Sequence, residues 1–243
     1  MLPQLVTVDP DGDLLLLLRE PSQDISTDTA NGDAEQENAS NEAAINGHNT
    51  GIGKLGMEDK VADREDGSGL HLLVSSKHMM LVSPVFRAML QHNFKEGATL
   101  RSQGKVEIPL PDEEPRAFQI LVDIIHCRLG MVPLSIDLDL LTHIAVLVDK
   151  YQMPTVVQVF IDIWLRGVGP PPVTFSEDML LWLGISWVFE LESQFETITS
   201  LLQREMTLKD ITWMMTMSKW ELPIPDTVMG EQNLYYSHRA VVY

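Results

Sequence analysis

The sequence predicts an α+β fold: a small three-stranded sheet flanked by a helical cluster, followed by an all-helical C-terminal extension. Three observations carry this. Leu14–Leu18 and Leu70–Val74 are short continuous apolar runs bounded by turn-forming residues, the pattern of buried strands. Lys105–Pro109 alternates between polar and apolar residues, the pattern of a half-buried strand. From Phe118 onward apolar residues recur at helical spacing through several successive segments. Strands, a helical pair, a strand and then consecutive helices make an α+β order.

Each element has a local reason. Pro10-Asp11-Gly12 is a turn signal, and residues 1–19 are read as holding the first strand. Leu70–Val74 pairs with it as a hairpin, although a normal hairpin loop has only two to five residues. Here the loop is about fifty residues long, and logarithmic closure entropy adds a cost of only roughly 2 kcal/mol. Two short helices follow, Lys77–Leu81 and Pro84–Gln91. Ser83 is placed to cap the second, and Pro84 stands at its first position. Val85, Ala88 and Met89 form its apolar face, with Phe86 flanking. Asp112 is read as capping a helix in which Phe118, Leu121, Val122 and Ile125 share one face. Glu113 and Glu114 then favour its first turn through the helix dipole. Asp137–Tyr151 is a helix burying Leu138, Leu141, Ala145 and Val148. Pro154 opens the next helix, which ends near Arg166 ahead of Gly167-Val168-Gly169-Pro170. Two or three more helices fit between Ser176 and Trp220, forming an extension over residues 167–222. Residues 223–243 read as an irregular tail.

Residues 20–68 differ from everything around them. They hold twelve acidic and three basic residues, no Phe, Tyr or Trp, and much Asn, Ala, Gly, Ser and Thr. Such a segment buries too little apolar area to offset backbone entropy and is expected to be a disordered acidic insertion.

Composition also excludes function classes. Thirty-five acidic against seventeen basic residues give a formal net charge of −18, which disfavours phosphate backbones and anionic membranes. The single cysteine, Cys127, allows neither an intrachain disulfide nor a paired-cysteine zinc site. The N-terminus lacks a basic region ahead of its leucines. The longest apolar stretch, Met179–Phe189, is short of the roughly 20 residues of a spanning helix. The expectation is a soluble, intracellular protein, cytoplasmic or nuclear.

Motifs that mimic chemistry have plainer readings. Gly51-Ile52-Gly53-Lys54-Leu55-Gly56 has dinucleotide-loop spacing, but neither a strand before it nor a helix after it. Asp9, Asp11, Asp13 and Glu20 mimic calcium-loop positions, yet Leu14 stands where that loop requires glycine. His126-Cys127 reads as a helix residue beside a buried structural cysteine rather than a base beside a thiolate. The methionines and Trp182, Trp187, Trp213 and Trp220 read first as core and second as partner anchors. No catalytic constellation emerges, and no cofactor or metal is implied.

The wording of four segments carries more. Val74–Leu90 (VSSKHMMLVSPVFRAML), Phe94–Gly97 (FKEG), Val106–His126 (VEIPLPDEEPRAFQILVDIIH) and Leu147–Met153 (LVDKYQM) together resemble the BTB/POZ domain. The closest flavour is that of the single-domain BTB proteins of filamentous fungi. The resemblance covers Gly12–Arg19 and Leu70–Arg166, placing the domain over residues 69–166 with its first strand before the insertion. Two departures stand out: Ser75 replaces a histidine common after the second strand, and the acidic insertion interrupts the first hairpin. The resemblance implies a non-enzymatic protein–protein interaction module that forms homodimers. In many relatives such a module presents substrates to a cullin scaffold in a ubiquitin ligase. The alternative it leaves open is a transcriptional co-regulator scaffold without direct DNA contact.

Two sets of site residues follow. Leu14, Leu16 and Leu18 are expected at the dimer interface, because so apolar a strand makes a poor free sheet edge. Phe94 and Glu96 match the cullin-binding pattern of relatives: a hydrophobic residue, any residue, then glutamate. The aromatic would fill a pocket while the carboxylate accepts hydrogen bonds. The competing reading makes Phe94 ordinary core and Glu96-Gly97 a turn.

Overall fold

A computed structural model describes residues 3–19, 69–91, 94–174, 176, 178–205 and 222–224. The acidic insertion, the Gly51–Gly56 motif, Trp213, Trp220 and nearly all of the tail lie outside these residues.

The sheet is built around the leucine run. Strand β2 (Leu14–Arg19) pairs antiparallel with β3 (Gly69–Val74), in a register running from Leu14 opposite Val74 to Arg19 opposite Gly69. The expected pairing thus forms across the long sequence gap. On its other side β2 pairs in parallel with β4 (Val106–Leu110), Leu14 opposite Val106 and Leu18 opposite Leu110. In β4, Val106, Ile108 and Leu110 face inward while Glu107 and Pro109 face out. Pro109 is tolerated because β4 is an edge strand among the described residues.

Among the described residues the sheet has four strands rather than three. A short strand β1 (Gln4–Thr7) pairs in parallel with β3, giving the order β1-β3-β2-β4. To pass from β1 to β2 the chain must cross the end of β3. Val8 and Asp9 N–H groups donate to Leu73 O there, and the Asp11 N–H is held by the Asp9 carboxylate at 3.0 Å. Gly12 makes the crossing, and any Cβ on it would lie 2.8 Å from Val74 O. Only glycine fits such a close approach without a shift.

Helix α1 (Ser76–Val82) follows β3, and α2 (Pro84–Gln91) follows Ser83. Ser83 is the expected cap: its Oγ accepts from Phe86 N–H at 3.1 Å and donates to Tyr151 O at 2.7 Å. The buried face of α2 is carried by Phe86 and Leu90. Val85 and Met89 are half-buried and Ala88 is exposed, so the apolar stripe lies one position round from the expected one. A helix absent from the sequence reading, α3 (Lys95–Gln103), packs against α2 and β4.

Helix α4 (Pro115–Ile125) buries all four expected residues, Phe118, Leu121, Val122 and Ile125. Its cap is Glu114 rather than Asp112: the Glu114 carboxylate accepts from Ala117 N–H, with Pro115 opening the helix. Glu113 turns inward instead of serving the helix dipole. Helix α5 (Leu138–Lys150) is capped by Asp137, whose carboxylate accepts from Leu140 N–H at 2.8 Å. Leu141, Ala145 and Val148 are buried and Leu138 is half-buried. Leu140, Thr142, Ile144 and Leu147 are buried as well, because α4 and α6 pack on α5 and α7 also covers it.

Helix α6 (Pro154–Val168) completes the domain, its Trp164 Nε1 donating to Pro133 O at 2.8 Å. The extension contributes α7 (Asp178–Val188) and α8 (Glu192–Glu205). Helix α7 is apolar nearly all round because it lies between α5 and α8. Met179, Trp182 and Leu183 meet Phe195, Ile198 and Leu202 in a second core cluster. Trp182 is therefore core, as its first reading had it. Among the described residues no helix is long and apolar enough to cross a membrane.

Candidate partner-binding site

The pair singled out in sequence sits at the start of α3. Phe94 occupies the N-cap position with an extended backbone, and its carbonyl accepts from Ala98 N–H at 3.0 Å. Its side chain makes no cap bond. Phe94 is 57 % exposed, which removes the reading that it is ordinary core. Glu96 lies in the first helical turn and is half-buried, where the N-terminal end of the dipole favours its negative charge. The segment is therefore a helix start, not merely a turn.

The framework under this pair is fixed at both ends. Arg101 Nη1 donates to Gln91 O at 3.3 Å, tying α3 back to the end of α2. Gly104, at φ 72°, closes the helix with its N–H on Leu100 O at 2.9 Å. Thr99 Oγ1 donates to Lys95 O at 2.9 Å. An exposed aromatic beside a carboxylate on a tethered helix can insert a ring into a partner's pocket and accept hydrogen bonds beside it.

The leucines expected at a dimer interface are elsewhere. Leu14, Leu16 and Leu18 are 0 %, 0 % and 1 % exposed, inside the chain's own core. The premise that their strand is a sheet edge is corrected by the pairing, since β2 has β3 on one side and β4 on the other. Their side chains belong to the core cluster of the same chain and offer no exposed surface to a second copy. Exposed apolar side chains stand on neighbouring elements: Leu5 on β1 at 60 % and Leu81 on α1 at 72 %.

The remaining candidates resolve into local structure. Both Asp13 carboxylate oxygens are engaged by Ser76, its N–H and its Oγ–H each at 2.7 Å, so Asp13 caps α1 from the position just before β2. Asp9 is occupied by the turn it closes. Glu20 lies outside the described residues, and among those described no group of three or more His, Cys, Asp or Glu could hold a metal ion. Cys127 is exposed rather than buried. It follows the end of α4 at φ 57°, a helix-terminating conformation that turns it away from the core.

Contacts that the sequence does not announce hold α2, α4 and α5 together. Glu113 is buried and accepts from Tyr151 Oη at 2.7 Å, with the Lys150 ammonium also 2.7 Å away. Tyr151 stacks on Phe86 at 4.9 Å between ring centroids and meets Phe118 edge-on at 5.5 Å. Its phenol is pushed far above the ordinary range by burial, and further by the Glu113 carboxylate. It therefore remains a donor. Three segments far apart in sequence (Pro84–Phe86, Glu113–Phe118 and Lys150–Tyr151) thus meet around one ring.

Comparison with known proteins bears on this directly. Residues 69–164 match the family model of the BTB/POZ domain, about two fifths of the chain. No curated protein matches the chain. The family match begins at Gly69, yet the sheet is continuous only with β2 lying between β3 and β4. A BTB/POZ domain is a protein–protein interaction module. Residues 69–164 are thus similar to a BTB/POZ domain, and the strands β3 and β4 within that match share one sheet with Leu14–Arg19.

Proposed function

We propose that this chain is a non-enzymatic, dimeric adaptor that binds a cullin scaffold through Phe94 and Glu96. The observation that carries the reading is the exposed Phe94 ring at the start of α3, with Glu96 in the adjoining turn. A large aromatic exposed on a tethered helix loses its solvent contact only when a partner covers it, and such residues dominate interface energetics. Self-association is assigned to β1 and the end of α1, where Leu5 and Leu81 are exposed, and no longer to Leu14, Leu16 and Leu18.

Calorimetric titration of a purified cullin N-terminal region into the full chain tests the adaptor reading. A saturable one-to-one isotherm per chain is expected. Absence of binding, with the fold intact by circular dichroism, would leave the co-regulator scaffold as the better reading. Light scattering of the same sample should give twice the chain mass at micromolar concentration.

A further inference from the structure

Both ring nitrogens of His126, at the end of α4, are engaged. Nδ1 lies 2.9 Å from Val122 O, one turn back on the helix, and Nε2 lies 3.1 Å from Ser75 N. A carbonyl can only accept and an amide N–H can only donate. Nδ1 therefore carries the proton and Nε2 accepts, which makes the ring neutral and fixes its tautomer. Ser75 is the residue before α1, and the next amide, on Ser76, donates to Asp13. Helix-start amides have no partner within their own helix. Here two in succession are held by side chains from elsewhere in the chain, Asp13 just before β2 and His126 at the C-cap of α4.

We propose that His126 is an acid-released latch between the end of α4 and the start of α1. Adding a proton to Nε2 converts its lone pair into a donor, which then faces the Ser75 N–H, and two donors cannot pair. The bond is lost while Asp13 still holds Ser76. This device is independent of which partner Phe94 meets.

The charged surroundings determine when the latch opens. His78 on α1 packs edge-on against the ring at 4.9 Å, and Arg128 lies just beyond α4; both disfavour a positive charge. Asp9, in the crossing between β1 and β2, favours it, as does the bond to Val122. Burial is the largest influence and lowers the His126 pKa below its ordinary value of 6.5. The folded value thus lies below the unfolded one. The latch contributes its stability fully above about pH 6.5 and loses it as the pH falls through the folded pKa.

The test is carried out on the full chain, following the imidazole nitrogens by NMR alongside hydrogen-exchange protection of the Ser75 amide, from about pH 8 to about pH 5. His126 should show the Nδ1–H tautomer at high pH and titrate below 6.5. Protection at Ser75, corrected for intrinsic exchange, should fall about tenfold in step, while the Leu16 and Leu72 amides keep theirs. His126→Gln, which retains a neutral acceptor, should keep Ser75 protected throughout; His126→Ala should leave it unprotected at every pH. Ser75 protection that stays constant through the imidazole titration would overturn the proposal, as would wild-type protection in His126→Ala. Should His126→Ala fail to fold, the wild-type titration and His126→Gln decide the matter.

Discussion

Tyr151 Oη donates to Glu113 Oε1 across 2.7 Å, joining the end of α5 to the start of α4 inside the domain. The Glu113 carboxylate is buried, so its charge is tolerable only with this donor and the Lys150 ammonium in place. Tyr151→Phe keeps the ring between Phe86 and Phe118 and removes only the hydroxyl. Urea denaturation should show a loss of about 1–3 kcal/mol with an unchanged m-value. A cost near zero would mean that Glu113 is satisfied without Tyr151.

Leu16 tests the corrected position of the leucine strand. It is wholly buried between strands of its own chain, so Leu16→Ala should open a cavity and cost about 3–5 kcal/mol. The loss should be the same at low and high protein concentration. A variant of undiminished stability that merely changed oligomeric state would return this residue to an interface.

Helix ends offer a test in the opposite direction. Gln152 and Glu190, which follow α5 and α7, both sit at φ 53°, a conformation costly for residues with a Cβ. Gln152→Gly and Glu190→Gly should each raise stability by about 0.5–1 kcal/mol, read as an increase in denaturation midpoint. A decrease would show that their side chains contribute more than the backbone strain removes.

Much of this fold is legible in sequence, for reasons that particular residues make plain. Phe118, Leu121, Val122 and Ile125 announce α4 because one long face is buried and the period is unmistakable. Ser83-Pro84 announces α2 because cap and first-turn chemistry are local. What was missed depends on non-local partners or weak patterns. Strand β1 has four residues, three of them exposed, and so carries no alternation. Helix α3 is polar, and Gly97, Thr99 and Ser102 are weak helix formers. Leu14–Leu18 reads correctly as a buried strand, but only tertiary pairing shows that it is an interior one. Phe94 is a single aromatic among polar residues, and periodicity cannot decide whether such a ring points in or out. Tyr151 and Glu113 are 38 positions apart, and no local rule connects them.

The central claim concerns Phe94, and one comparison tests it most directly: affinity of the wild-type chain and of Phe94→Ala for a cullin N-terminal region. Phe94 is 57 % exposed, so removing its ring should leave the circular dichroism and melting temperature unchanged. Binding should weaken by about 2 kcal/mol, roughly thirtyfold, and somewhat less in Glu96→Ala. Equal affinity for the wild type and Phe94→Ala, with both folded, would contradict the account.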